Sequence, residues 1–194
     1  MPQPLSGILK PPTRADARRN YEALLAAAAE TFSAHGTDAP LDEIARRAGV
    51  GNATLYRNFP TRRELIVAVC ANEVEALRDH AEHFADIPPR EALIAWLDKF
   101  AEHIAANKGL AAALMTGAHD TSVLIEASNE VIRQTVSKLL DRARLAKAVK
   151  PDLDVVDLIS LANAVALIAE SDGQAQAQRM LRIFFDGAAA SRRD

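Results

Sequence analysis

The chain has one cysteine, Cys70, in 194 residues, which leaves no internal disulfide to form and fits a reducing compartment. Cys70 lies in the apolar run LIVAVC, where a buried small hydrophobe is the plainer reading than a redox sensor. No apolar run approaches the roughly 20 residues that cross a bilayer. The first residues include Lys10 and Arg14 but no apolar h-region, so they do not read as a secretory signal, and a cytoplasmic protein is expected. Also missing are a phosphate-cradling glycine loop, a nucleophile elbow, an HExxH pair and a cysteine-rich metal motif. Neither an enzyme nor a cofactor is therefore expected. No alternating strand pattern, internal repeat or low-complexity tract is seen, which points to an all-α fold.

What remains is an ordinary globular composition, 49% hydrophobic and 25% charged. The net charge of −3 is unevenly spread. Residues 1–65 carry 9 Lys and Arg against 7 Asp and Glu, a surplus of +2, and the rest of the chain carries −5. The positive residues cluster: Arg14, Arg18 and Arg19 before or within the first long helix, and Arg57, Arg62 and Arg63 around residue 60. Such an asymmetry is the electrostatic footprint expected of a nucleic-acid binder.

Residues 41–60, LDEIARRAGVGNATLYRNFP, supply the geometry for one. Leu41, Ile44, Ala45 and Ala48 share one face of a short helix. Gly49 suits the left-handed cap that ends it, and Val50 plugs the corner. A second short helix from Asn52 to Phe59 turns Leu55 and Phe59 inward. Asn52, Ala53, Tyr56 and Arg57 are left facing out. A short anchored helix that presents an amide, a phenol and a guanidinium is what a major-groove reader requires.

The segment resembles the helix-turn-helix of the tetracycline-repressor (TetR) family of bacterial transcription regulators. The resemblance rests on Ile44-Ala45, Ala48-Gly49-Val50, Thr54-Leu55-Tyr56, Phe59 and Glu64-Leu65, with Ala27, Phe32 and Gly36 upstream, and covers residues 18–68. Two positions depart from the common pattern: Pro40 stands where a Thr often caps the first helix, and Gly51 where a Ser often opens the second. The resemblance implies that Thr54 and Tyr56 touch phosphates or base edges. Asn52 and Arg57 project toward the groove, where Asn pairs with adenine and Arg with guanine. Arg62 and Arg63, at the amino end of the next helix, are expected to bind phosphate with help from its dipole. Arg14 and Arg18 are expected to track the backbone. Leu41, Ile44, Val50, Leu55 and Phe59 are scaffold.

Nine helices are expected in all. Residues 1–13, with four prolines, read as a mobile arm, and 14–65 as the DNA-binding domain. Residues 66–187 read as a regulatory and dimerisation domain, and 188–194 as a tail. Thr61 and Glu64 form a capping box for a long helix that reaches about Ala85. Further helices span 90–107, 110–116, 122–148, 153–170 and 174–187. The stretch DVVDLISLANAVALIAE is apolar almost all round, so one side should meet its own domain and the other a second copy. Two such helices from each chain, within residues 153–187, would close a four-helix bundle. A two-fold dimer would set its reading helices one DNA turn apart, ~34–36 Å, on a pseudo-palindromic operator.

The larger half holds the only Trp and two of the three Met residues. Trp96, Phe100, Met115 and Leu139 are candidate walls of a cavity for a small, mainly apolar effector, with His103, His119, Thr116 or Asn163 orienting a polar group. The family implies that such a ligand tilts the long helix and lowers DNA affinity, making the protein a repressor. His80 and His83, three apart beside Glu73, Glu75 and Glu82, and separately His103 and His119, have metal-ligand chemistry, although a solvated helix face or core histidines explain them as well. The rival functions are a small-molecule or metal-sensing module with a secondary DNA role and, more remotely, an enzyme with a helical cavity.

Overall fold

The computed structural model describes residues 5–7, 9, 11–107, 109–110 and 122–188. Among these there are eight α-helices, two 3-10 turns and no strand. The helices are α1 (Ala15–His35), α2 (Leu41–Arg47), α3 (Asn52–Asn58), α4 (Arg62–His80), α5 (Pro89–Ala106), α6 (Ser122–Leu145), α7 (Val155–Asp172) and α8 (Gln174–Gly187). The all-α expectation holds. The short helix expected over 110–116 and the loop over 118–121 fall almost wholly outside the described residues.

Local chemistry accounts for the boundaries. Thr61 and Glu64 form the expected box: the Thr61 amide donates to Glu64 Oε2 at 2.9 Å, and the Glu64 amide donates to Thr61 Oγ1 at 3.2 Å. A second box, not anticipated, opens α7. There Asp154 Oδ1 accepts from the Val156 amide at 2.7 Å, and Asp157 Oδ2 accepts from the Asp154 amide at 3.3 Å. The Asp-x-x-Asp spacing was its available signal, with Asp standing in for the usual Glu.

Two expectations change. The long helix stops at His80 and tightens into a 3-10 turn, Ala81–Phe84, instead of running to Ala85. Arg142 Nη2 donates to the Ala85 carbonyl at 2.8 Å, supplying a partner from 57 residues away to backbone left over at this end. In the supposed N-terminal arm, Leu5–Gly7 form a 3-10 turn and Leu5 is fully buried, because an isolated leucine gains more from apolar cover than from water.

The chain divides into two units, Met1–Glu75 with Asn107–Ser128, and Ala76–Ala106 with Asn129–Asp194. In the first, the Tyr21 and Phe59 rings meet at 5.0 Å, and Glu30 of α1 accepts from Arg47 of α2 at 3.1 Å. Leu24, Ile44, Leu55 and Leu65 are among its fully buried side chains. In the second, α5 packs mainly on α7, and α7 on α8. Its core includes Leu93, Trp96, Leu97, Leu140, Leu158 and Phe185. Each such side chain contributes roughly 1.5–3 kcal/mol by leaving water.

Candidate nucleic-acid interface and effector region

The reading unit begins with the turn between α2 and α3. Gly49 has φ +70°, the left-handed conformation that penalises any residue with a Cβ. Its amide donates to the Arg46 carbonyl at 3.1 Å, and the Val50 amide donates to the Ala45 carbonyl at 3.0 Å. Together these bonds make a Schellman motif, which ends α2 and redirects the chain within two residues. The departures at Pro40 and Gly51 have the expected local result: each is the N-cap of its helix, and neither offers a side-chain cap bond. Leu41 and Val50 are only half-buried, so the scaffold rests chiefly on Ile44, Leu55 and Phe59.

Leu55 and Phe59 hold α3 to the core, and Asn52, Ala53, Tyr56 and Arg57 are exposed beside them. Thr54 is half-buried. The Asn58 side-chain amide donates back to the Thr54 carbonyl at 2.8 Å, so it is spent on its own helix.

The arginines are not equivalent. Arg18 Nε pairs with Glu22 at 2.9 Å, Arg19 pairs with Asp16, and Arg46 makes a two-pronged contact with Glu43 at 2.9 and 2.7 Å. The Arg46 fork holds the Glu43 carboxyl below its ordinary range. Exposed pairs of this kind are worth little, so phosphate can displace them cheaply. Arg14 and Arg57 are exposed, and among the described residues neither side chain makes a hydrogen bond or ion pair. Arg63 is half-buried and has an interaction partner. Arg62 differs from all of these: its Nη1 donates to two backbone carbonyls, Thr37 at 2.7 Å and Ala39 at 2.5 Å. Nothing in the local sequence signalled that role.

In the second unit, Trp96, Phe100 and Leu139 come together in one buried cluster. The Trp96 and Phe100 rings are 5.3 Å apart, and Trp96 Nε1 donates to the Leu77 carbonyl at 3.0 Å, in the last turn of α4. His103 is half-buried one turn beyond Phe100, and burial lowers its pKa to about 4, so it is neutral at physiological pH. Asn163 is not with them. It is exposed on α7, and its amide donates to the Ile159 carbonyl of its own helix at 2.9 Å. Met115, Thr116 and His119 lie outside the described residues.

A cleft of about 420 Å³ lies between α5 and α8, lined by Arg90, Ile94, Asp98, Gln178, Leu181 and Arg182 among others. None of the expected wall residues lines it. Gln178 donates to Asp98 at 2.8 Å, and burial raises the Asp98 carboxyl pKa.

His80 and His83 face each other with ring centroids 5.2 Å apart. Among the described residues, no three His, Cys, Asp or Glu side chains gather as a metal site would require. No helix among them is long and apolar enough to cross a membrane. Burial, followed by the Glu73 charge, pushes the Cys70 thiol up to about 12, which removes the thiolate that redox sensing needs.

Two short helices around a Schellman turn, with the second turned outward, define a helix-turn-helix protein. Residues 24–69 match the family model for bacterial regulatory proteins of the tetR family, and residues 88–190 match that for the C-terminal domain of SbtR-like transcriptional regulators. A TetR transcriptional regulator from Streptomyces coelicolor is 38% identical, with a TM-score of 0.77 over 88% of this chain and 98% of that one. A TetR regulatory protein from Mycobacterium vanbaalenii is 36% identical, with a TM-score of 0.77 over 92% of this chain and 99% of that one. The uncharacterized HTH-type transcriptional regulator TtgW of Pseudomonas putida is 39% identical over 66 residues, 34% of this chain and 49% of its own length. The chain belongs to the TetR family of bacterial transcriptional regulators.

Proposed function

We propose that the protein is a homodimeric, sequence-specific DNA-binding regulator, a repressor released from a pseudo-palindromic operator by a small, mainly apolar effector. The observation that carries this reading is the outer face of α3: Asn52, Ala53, Tyr56 and Arg57 are exposed while Leu55 and Phe59 anchor the helix from behind. Residues 14–65 bind DNA. Asn52 and Arg57 read base edges, Thr54 and Tyr56 touch backbone or bases, and Arg14, Arg18 and Arg63 neutralise phosphate.

Residues 66–187 dimerise and sense. The dimer forms through the apolar surface that α7 and α8 leave in water, where Val156, Leu167 and Ile183 are each more than half exposed. The effector displaces part of the packing around Trp96, Phe100 and Leu139, and neutral His103 offers it a hydrogen bond. Asn163 has no place in this site, being more suited to the dimer face. The DNA-bound and released states differ in their affinity for the effector, and that difference is the whole of the coupling.

The test has two stages. DNA selected from a random pool by the purified protein is sequenced, and a mobility shift across a salt titration then compares the recovered site with scrambled DNA. Recovery of a palindromic consensus is expected, and no enrichment would refute the reading. An effector that changes Trp96 fluorescence should release the operator over the same concentration range. A ligand that changes Trp96 and leaves DNA affinity intact would remove the sensing role.

A further inference from the structure

We propose that Arg62 is a positioning residue: it clamps the α1–α2 connection to the first turn of α4 and thereby sets the pose of the reading motif. The inference rests on the DNA-binding reading above and reassigns a side chain whose charge and place at a helix amino end suggest a phosphate contact.

Arg62 lies in the first turn of α4, and its side chain reaches back across 25 and 23 residues to Thr37 and Ala39. One planar NH2 group, Nη1, serves both carbonyls, at 2.7 and 2.5 Å. These are charge-assisted bonds in a partly buried setting, stronger than neutral ones. Among the described residues no backbone amide donates to either carbonyl. The connection they belong to runs directly into α2. Pro40 is the N-cap of that helix and gives no side-chain cap bond, and the first backbone bond, from the Ile44 amide to the Pro40 carbonyl, is long at 3.4 Å. A proline at this position has no hydroxyl or carboxylate with which to cap the helix. The guanidinium supplies the missing constraint from the other side, by fixing the residues just before the helix. Ala39 is buried beside it, which anchors the same short segment a second way. Because α2 and α3 are joined by the rigid Gly49 turn, holding the entry to α2 also holds the face of α3.

A clamp and a phosphate contact give different results. The test compares wild type with Arg62→Ala by hydrogen exchange of the DNA-free protein and by salt titration of binding to operator and to random DNA. For a clamp, amides over 37–44 exchange at least about tenfold faster while those of α5, α7 and α8 are unchanged. Operator affinity falls about tenfold or more, random-DNA affinity falls much less, and the slope of log K against log salt is preserved. A slope shallower by about 0.9 with equal losses on both DNAs, or exchange over 37–44 identical to wild type, would overturn the proposal. If Arg62→Ala fails to fold, Arg62→Lys is used, which keeps charge and stem but lacks the planar NH2 pair. Faster exchange over 37–44 is again expected, and wild-type exchange overturns the clamp. If the wild type enriches no DNA, the regulator reading fails, and the exchange measurements still decide the clamp.

Discussion

His103 should make the stability of this protein depend on pH, in a direction and over a range that its burial sets. An imidazole in water titrates near 6.5, whereas burial lowers that of His103 to about 4. Between these values the unfolded chain binds a proton that the folded chain refuses, so stability rises with pH through this window. The contribution is complete above pH 6.5 and is lost as pH falls toward 4. Linkage arithmetic gives a loss of about 2 kcal/mol between pH 7.5 and pH 5, growing to about 3 kcal/mol at pH 4. Asp98 and Glu73 work the other way, since burial raises both carboxyls and favours the fold as they protonate. The wild-type profile alone is therefore ambiguous. The comparison that isolates His103 is urea unfolding of wild type and His103→Gln at one fixed protein concentration, at pH 7.5, 6, 5 and 4. The variant gains on the wild type by about 2 kcal/mol on going from pH 7.5 to pH 5. Parallel profiles for the two proteins, or an imidazole pKa near 6.5 by NMR, would refute the reasoning. The same depression keeps His103 neutral in the cell, where it can donate and accept one hydrogen bond each, as a neutral polar group in an apolar site should.

Other outcomes follow from the same geometry. Asn52→Ala and Arg57→Ala should each cost ~1–3 kcal/mol on the selected operator with little change on random DNA, measured by mobility shift, and equal losses on both would remove base readout from these residues. Ile183→Glu or Leu167→Glu should yield folded monomers by sedimentation, since these side chains are 58% and 62% exposed in the single chain and an unpaired charge is costly only in the dimer. Val165→Glu should unfold the protein instead, because Val165 is 1% exposed within its own chain; a folded Val165→Glu monomer would contradict that placement. Cys70 should resist iodoacetamide in the native protein at pH 8 and react at once in urea, and native labelling at the rate of a free thiol would show that burial does not suppress its thiolate.

What the amino-acid sequence determines here is what neighbouring residues settle among themselves. The Gly49 turn, the Thr61–Glu64 box and the inward pair Leu55 and Phe59 all depend on contacts within one or two turns of helix. They were legible for that reason, and they carry the reading motif. The existence of the eight described helices was equally plain, while the end of α4 was not, because Arg142 meets the Ala85 carbonyl from 57 residues away. The apolar helix α7 shows the limit most clearly. Its sequence announces that both sides should be dry but has too little contrast to say which side meets its own chain. Only packing against α5 and α8 puts Leu158, Ala162 and Val165 inside and leaves Asn163, Val156 and Leu167 outside, so Asn163 stands apart from the buried Trp96 cluster. Arg62 is the same lesson in a charged side chain. Its sequence position gives it a helix amino end and a positive charge, but the carbonyls that engage it belong to residues 37 and 39, and only the tertiary fold brings those within reach of one nitrogen.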